Sequence, residues 1–369
     1  GSMWGLLGTV LLNGSQLTVE VTTNDADGYV QLLHMIVIPL VFASILSAVA
    51  RLHNASSLGK ISFLTIGTLM FTTAIAVCLA LSAAIIVKPG VGANPVAIQD
   101  ADIAEATPFT QVLIDIVPTN PIAAMAEGQM LPIIFFAVLI GISITLSGEN
   151  GARIGGWFRD MNAIIMKLVT IVMRFAPYGV FALIAVLTAT SNAADFMAVG
   201  RYVLLVMVML FVHALVVYPT LFAMFARLNP LTFLFKLRAA MLFAFSTASS
   251  NATIPVTLST VENRVGVSNK IASFTVPLGA TINMDGTALY ECVGVIFISQ
   301  VLGFELGFFA QATVVVTALL ASIGAAGIPS AGLVMIFVVT ESVGLTGPDV
   351  ALIVGAMLAI DRPLASVSL

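Results

Sequence analysis

Small polar side chains crowd into one short segment of an otherwise apolar chain, between Ser246 and Thr253. Ser249 and Ser250 stand at its centre, and Pro255 follows where the next predicted helix begins. A helix that begins here points unpaired backbone N–H groups and its positive dipole end at the segment. Those groups and the serine hydroxyls can bind a carboxylate or another anion. The alternative is that the small side chains only allow helices to pack closely.

A single carboxylate, Asp285, interrupts a second apolar run, between Asn283 and Thr287. In a membrane such a charge is costly and is usually kept for a function. The amide, the carboxylate, the hydroxyls of Thr281 and Thr287 and any freed carbonyls are hard oxygen ligands for a small cation, whereas the His and Cys ligands of a zinc site are missing. A structural alternative pairs Asp285 with Arg174 of another helix.

Glu291 follows Asp285 by about one and a half helical turns and could carry a proton, unless it is simply exposed or paired. Cys78 and Cys292 lie far apart without CxxC spacing, which indicates small core residues and neither a disulfide nor a metal site. The three histidines also lack ligand spacing. An intramembrane protease would need a catalytic pair, and only Asp285 is predicted to lie deep, so we expect no enzyme and no catalytic residues.

The composition places the chain in the class of polytopic membrane proteins. Its 369 residues are 59% hydrophobic and only 9% charged, and the mean hydropathy is +1.10. A soluble domain could not cover that much apolar surface with so few charges. The net charge of -4 gives no support to nucleic-acid binding, which needs a clustered basic face. The partners to be expected are therefore a lipid bilayer and a small molecule.

Apolar runs predict an all-α fold of about eight transmembrane helices, the first and last shortened, plus two interrupted helical units. The predicted spans are 3–12, 29–49, 61–87, 131–146, 163–189, 196–225, 271–302 and 350–360, and the interrupted units are 233–261 and 310–343. Residues 91–127 should form an aqueous loop with short helices. A polar turn holding Arg153, Arg159 and Asp160 should follow the span 131–146. Gly1 and Ser2 are interpreted as the remnant of a cleaved tag.

Positive charge sets the orientation of these spans. If 29–49 runs from outside to inside, alternation gathers most basic residues on the cytoplasmic side, namely Arg51, Lys60, Arg153, Arg159, Arg227, Lys236, Arg238, Arg264 and Lys270. The same count requires both interrupted units to be re-entrant hairpins that enter from opposite sides. Both tips are small and hydroxyl-bearing and end in Ile-Pro, at 254–255 and 328–329. Opposed hairpins of like design indicate an inverted repeat, as in secondary transporters.

Several segments of the chain resemble the dicarboxylate/amino acid:cation symporter family, which includes the glutamate transporters. They are residues 35–42, 118–121, 128–132, 176–181, 249–255 and 277–291. The last is the most specific, because it contains Asn-Met-Asp-Gly at 283–286. Residues 29–73 are most similar to the cystine-importing branch. Asn-Met-Asp-Gly instead resembles sodium-coupled members, and Tyr290-Glu291 resembles animal excitatory amino acid transporters.

The resemblance implies binding sites for a substrate and for sodium. The substrate residues are Ser249, Ser250, Thr287 and the backbone of Gly327 and Ile328. One sodium site would use Gly279 and Asn283. The second would use Thr281, Met284, Ser322, Ile323 and Ala325, and the third Thr72, Thr73, Asn283 and Asp285. Glu291 matches the proton-carrying glutamate of animal members.

The resemblance also implies a homotrimer in which scaffold helices hold moving transport domains. Residues 3–60 and 131–191 correspond to the scaffold, and 61–90 and 197–369 to the transport domain, with 350–369 as a truncated last helix. The chain departs from the family pattern at Asn251, which replaces a serine, and at Leu69, which replaces a tyrosine of the third sodium site. Ala365 and Ser368 stand where the final helix usually has an aspartate and an arginine, so we expect amino acids to bind weakly to this form.

These features predict a multi-pass transporter of the cell membrane that carries an amino acid or dicarboxylate together with Na⁺ by an elevator-type movement. H⁺ is left open as a further co-transported ion. Two alternatives remain: an anion- or ion-conducting, channel-like member, and a proton-coupled importer of cystine or another amino acid. The residues do not distinguish glutamate, aspartate, a C4-dicarboxylate, a neutral amino acid and cystine as substrates.

Overall fold

The fold is that of a computed structural model, which describes residues 59–93, 116–175 and 193–324, parts of 28–49 and 335–345, and the single residues 114 and 178. All regular elements within these ranges are helical, which confirms that the fold is all-α as predicted. The predictions for the tag remnant, for Ala325, Gly327 and Ile328, and for the last helix lie outside the described residues.

Eleven α-helices with assigned bounds lie in the described part of the chain. They are α1 (Gly59–Val87), α2 (Pro121–Glu127), α3 (Met130–Leu146), α4 (Gly148–Met173), α5 (Ala193–Val212), α6 (Tyr218–Ala226), α7 (Pro230–Thr247), α8 (Ser250–Thr260), α9 (Asn269–Ile282), α10 (Asp285–Val301) and α11 (Phe308–Gly324). A π-helical turn, His213–Val217, joins α5 directly to α6, and a second one, Val261–Val265, follows α8.

Two of these helical stretches are long and apolar enough to cross a membrane, namely Phe63–Val87 in α1 and Met197–Ala226 in α5 and α6. Shorter apolar helices cover Ile38–Ser47, Pro132–Leu146 and Phe308–Ser322. Three lie within predicted spans, while Met197–Ala226 ends one residue after the predicted span 196–225 and Phe308–Ser322 begins two residues before the predicted unit 310–343. Long apolar runs are easy to recognise in a sequence, because a span needs about twenty apolar residues. The number of spans and the re-entrant path of the hairpins stay predictions.

The polar turn predicted after α3 is wrong. Arg153, Arg159 and Asp160 lie on α4, which begins at Gly148. The helix is amphipathic, because Ile165, Val169 and Val172 recur at helical spacing on a buried face while the charged residues point away from the core. Charge alone was therefore a poor guide to where the helix begins.

The predicted span 163–189 is also wrong as a single helix. α4 ends at Met173, and Arg174 and Phe175 form a turn. The prediction followed the apolar composition of the whole stretch, which does not show where a backbone turn interrupts it. Arg174 itself is exposed at the end of α4, and the structure gives it no contact with Asp285.

Helix α10 forms the centre of the core. All of its residues except Gln300 are buried, and it packs against α1, α5 and α11. A helix that is covered on every side in this way belongs to the core of the protein. The first turn of α10 contains Asp285 and its second contains Glu291, so both carboxylates are held inside the protein.

Helix α1 approaches α10 closely along a face of small residues. Ala76, Ala80 and Ala84 are fully buried there, at a spacing that places them on one side of the helix. Gln300 closes the contact, since its Oε1 accepts from the Gly90 N–H at 3.0 Å and its Nε2 donates to the Ala84 carbonyl at 3.3 Å. Small residues allow this approach of two backbones in a membrane protein.

The first interrupted unit is a helical hairpin in the structure. α7 ends at Thr247, its C-cap residue Ala248 has a left-handed φ of 48°, and Ser249 is the N-cap residue of α8. The Ala248 N–H donates to the Ala244 carbonyl, which closes the end of α7. The Ser249 hydroxyl accepts from the Ala252 N–H at 3.3 Å. α7 and α8 pack against each other, so the predicted breaker is the tip of the hairpin.

The helical residues before Val49 contact α3 and α4. Ser44 Oγ donates to Asn162 Oδ1 at 3.0 Å, and Thr145 Oγ1 donates to the Val49 carbonyl at 3.3 Å. A very tight connection joins α3 to α4, since only Ser147 separates the two helices and Gly148 has a φ of 60°. Glycine is favoured there because a side chain is strained in this left-handed region.

Candidate cation site at a broken helix

The predicted helix 271–302 is broken where the sequence places Asn-Met-Asp-Gly. α9 ends at Ile282 and α10 begins at Asp285, so Asn283 and Met284 form the break. Their backbone angles, φ -94° and ψ 85° for Asn283 and φ -110° and ψ 52° for Met284, are not helical. Helix ends leave carbonyl and N–H groups without intrahelical partners, so the break brings polar backbone into the core.

Asp285 is enclosed by three polar side chains from other helical segments. The Thr73 hydroxyl of α1 donates to Oδ1. The Tyr218 hydroxyl donates to Oδ2 at 2.7 Å, and His213 Nε2 lies 3.3 Å from the same oxygen. Only 3% of Asp285 is exposed. Within the described structure the basic group in contact with this carboxylate is His213, and not Arg174, the alternative partner expected from the sequence.

Asn283 belongs to the same cluster. Its Oδ1 accepts from the Thr72 hydroxyl at 3.3 Å, and its Nδ2 lies 3.5 Å from the Tyr218 hydroxyl. Thr72 and Thr73 also lie 2.9 Å from the carbonyl of Leu69, which holds both hydroxyls in place. The residues that the resemblance assigned to the third sodium site, Thr72, Thr73, Asn283 and Asp285, are thus neighbours.

His213 and Tyr218 are the residues of this cluster that sequence reasoning missed. They are five positions apart, which in an α-helix turns two side chains about 140° away from each other. The π-helical turn His213–Val217 instead brings them together in an edge-on contact, with ring centroids 4.6 Å apart. Pro219, two residues after the turn, is the one sequence signal, because proline lacks the N–H that continues an α-helical ladder.

The other predicted sodium ligands lie on neighbouring elements. The Gly279 carbonyl, near the end of α9, accepts from the Asn283 N–H at 2.8 Å. Thr281 is in the last turn of α9, and Met284 is buried at the break. Ser322 is buried on α11, which packs against α9, and Ile323 follows it. These residues stay candidates for further cation sites.

The substrate candidates are divided between two elements. Ser249 and Ser250 lie at the half-buried tip of the first hairpin, where α8 begins. α8 packs against α9, the helix that leads to the break. Thr287 is buried in the first turn of α10. The two hydroxyls at the tip and the first turn of α8 form the donor set that the sequence predicts for a carboxylate.

Glu291 is fully buried on α10, and neither of its carboxyl oxygens has a hydrogen-bond partner within the described residues. Burying a charge without a partner is very costly, so the charged and neutral forms of such a side chain differ strongly in energy. The expectation that Glu291 is simply exposed or paired is wrong for this part of the structure. Its role as a proton carrier stays a prediction.

The sequence matches the model of the sodium:dicarboxylate symporter family over residues 2–368. The chain belongs to this family. It is 33% identical to an excitatory amino acid transporter of Caenorhabditis elegans, over 99% of the chain and 82% of that protein. It is 31% identical to the proton/sodium-glutamate symport protein of Bacillus subtilis, over 100% of the chain and 88% of that protein. It is 32% identical to the proton/glutamate-aspartate symporter of Escherichia coli, over 94% and 81%.

Membership of the sodium:dicarboxylate symporter family confirms that the protein is a membrane transporter and not an enzyme. It also confirms symport coupled to a cation, because the family description and the names of the bacterial relatives all specify one. The broken helix and the cluster around Asp285 are therefore features of a cation-coupled carrier.

Proposed function

We propose that this protein carries an amino acid or a dicarboxylate into the cell together with sodium. The observation that carries the proposal is the buried carboxylate of Asp285 at the break between α9 and α10, which belongs to one hydrogen-bonded cluster with Thr72, Thr73 and Asn283. The glutamate symporters among the relatives support an acidic amino acid as the substrate class.

The chemistry of this cluster suits a sodium ion. A carboxylate, an amide oxygen, two threonine hydroxyls and the backbone carbonyls at the break are all hard oxygen ligands, which alkali and alkaline-earth ions prefer over nitrogen or sulfur. The negative charge of Asp285 compensates the charge of an ion that has lost its water. In the described structure the carboxylate instead accepts hydrogen bonds from Thr73 and Tyr218 and lies 3.3 Å from His213 Nε2.

Sodium and substrate would then be coupled through the closure of the hairpins. Ser249, Ser250 and Thr287, with Gly327 and Ile328, would bind the substrate, while Thr281, Met284, Ser322, Ile323 and Ala325 would bind a second ion and Gly279 with Asn283 a further one. If both ligands bind the closed form more tightly than the open form, each raises the affinity for the other. No chemical step is required for coupling of this kind.

The elevator movement and the homotrimer are part of the same proposal. The helical residues up to Val49 contact α3 and α4, the helices of the expected scaffold. α1, α5 and α11 instead surround α10, as expected for a transport domain that moves as one body. A buried, alanine-lined contact between α1 and α10 supports such rigidity.

Uptake into proteoliposomes tests the proposed function. We expect saturable uptake of radiolabelled glutamate, aspartate or a C4-dicarboxylate when sodium is higher outside than inside, and little uptake when choline replaces sodium. Serine and cystine should be included as competing substrates. Uptake that follows a proton gradient and ignores sodium would contradict the proposal and favour the proton-coupled alternative. Ion currents without saturable uptake would favour the channel-like alternative.

Glu291 provides a separate prediction about protons. We expect Glu291→Gln to preserve sodium-dependent substrate binding and to abolish the dependence of net uptake on external pH, because glutamine cannot carry a proton across the membrane. Glu305→Gln is the matched control, since Glu305 lies between α10 and α11 and is exposed. The measurement is initial uptake between pH 5.5 and pH 8. A pH profile that is unchanged in Glu291→Gln would show that Glu291 is not the carrier.

A further inference from the structure

We propose that Tyr218 is a positioning residue of the cation site, and that its hydroxyl sets the orientation of both Asp285 and Asn283. The inference rests on the proposed function of sodium coupling. It assigns a role to a residue of α6, a helix that contributes none of the predicted ion ligands.

The hydroxyl of Tyr218 bridges the two polar side chains that flank Met284. It donates to Asp285 Oδ2 at 2.7 Å and lies 3.5 Å from Asn283 Nδ2. Although 36% of Tyr218 is exposed, this end of the side chain points into the protein at a carboxylate that is 3% exposed. The ring itself rests edge-on against His213.

This bridge fixes which atoms of Asn283 and Asp285 face the candidate site. With Nδ2 of Asn283 directed at Tyr218, Oδ1 of the same amide faces Thr72. Tyr218 and His213 approach Oδ2 of Asp285 from one side, and Thr73 approaches Oδ1 from the other, which fixes the plane of the carboxylate. An ion site binds tightly only if such neighbours hold its ligands in place.

The π-helical turn is what makes this bridge available. Val212 and Tyr218 have ordinary helical angles, so the helix continues through the turn without a break. The Tyr218 N–H donates to the His213 carbonyl, five residues back, and the two rings thereby reach the same carboxylate oxygen. π-turns of this type are rare and occur frequently at functional sites.

Tyr218→Phe removes the hydroxyl and leaves the ring. We expect the sodium concentration for half-maximal binding to rise roughly tenfold, the size of effect that follows from losing one hydrogen bond to a charged group. The matched control is Tyr202→Phe, the same change on the preceding helix α5, where the ring packs on Phe297 at a centroid distance of 5.0 Å. That variant should keep the sodium response of the wild type.

The experiment measures the thermal unfolding midpoint of the purified full chain in detergent over a series of sodium concentrations, with choline keeping the ionic strength constant. Sodium binding to the folded state raises the midpoint, and the concentration dependence reports the affinity. A purely structural role would lower the midpoint without sodium and leave that dependence unchanged, and this result would overturn the inference. We expect Tyr218→Phe to keep the wild-type midpoint without sodium and to need more sodium for the same rise in the midpoint.

A third variant separates loss of the hydrogen bond from loss of the fold. Tyr218→p-aminophenylalanine keeps a donor at the same place, so we expect it to restore the wild-type response to sodium. If this variant binds sodium as weakly as Tyr218→Phe, the bridge is not the cause and the inference is wrong. If the wild type itself does not respond to sodium, the proposed function fails, and the role of Tyr218 fails with it.

Discussion

Replacing Asp285 by asparagine is expected to abolish sodium binding at the helix break while the protein stays folded. Among the described side chains that contact the break, Asp285 is the one that carries a negative charge. Removing one partner of a buried charge pair typically costs about 3–5 kcal/mol, so the dissociation constant for sodium should rise by roughly two to three and a half orders of magnitude.

Thermal unfolding distinguishes this effect from a general loss of stability. Without sodium, Asp285→Asn should unfold at the wild-type temperature or above it, because asparagine still accepts a hydrogen bond from Tyr218 and no charge is buried. With sodium, the midpoint of the wild type should rise and that of the variant should not. Titration calorimetry with sodium chloride gives the affinities directly.

Thr287→Ala is the matched control for Asp285→Asn. Thr287 lies on the same helix, is buried and carries no charge. We expect this variant to bind sodium nearly as the wild type does and to bind the transported substrate more weakly. Equal sodium affinities in the wild type and in Asp285→Asn would remove Asp285 from the cation site.

Gly151→Ala should cause the largest loss of stability among single-methyl changes at the connection between α3 and α4. A Cβ atom at this position would overlap the carbonyl oxygen of Ile144, a backbone atom that cannot turn aside as a flexible side chain can. Ser147 Cβ would lie 3.2 Å away on another side. Overpacking of this kind costs about 3 kcal/mol, and more where the backbone has to move.

Gly156→Ala, on the same helix, provides the comparison. The nearest atom to a Cβ there is the guanidinium end of Arg159 at 3.7 Å, which is an ordinary contact. Alanine also favours a helix over glycine by up to about 1 kcal/mol, so this variant should be as stable as the wild type or slightly more so. The measurement is the unfolding midpoint in detergent. Equal midpoints for Gly151→Ala and Gly156→Ala would show that the connection is looser than described.

Apolar length and helix-breaking residues predicted much of the fold. α1, α5 with α6, the tip at Ser249 and the break at Asn283 lie where the sequence places them. These features depend on local properties, namely a continuous apolar run or a cluster of small polar residues inside one. The start of α4 was missed because its glycines and charges resemble a turn. Only the spacing of Ile165, Val169 and Val172 indicates a buried helical face.

The candidate site was predictable from the sequence only in part. Asp285 and Asn283 are conspicuous in the sequence, because polar groups in an apolar helix need an explanation. Thr72 and Thr73 were placed with them only through the family resemblance, since more than 200 residues separate the two pairs along the chain. His213 and Tyr218 were missed altogether, because an α-helical repeat of 3.6 residues puts them on different faces.

The π-turn also determines how position 218 can be compared between members of this family. In an unbroken α-helix the residue four positions after His213 would share its face. Because of the π-turn between Ala193 and Ala226, Tyr218 shares it instead, five positions after His213. Deleting one residue within the turn would rotate everything after it by about 100° and direct a different side chain at Asp285. A homologue can thus have the same residues on either side of the turn and still lack the bridge. The number of residues in the turn, and not residue identity alone, decides which homologues have it.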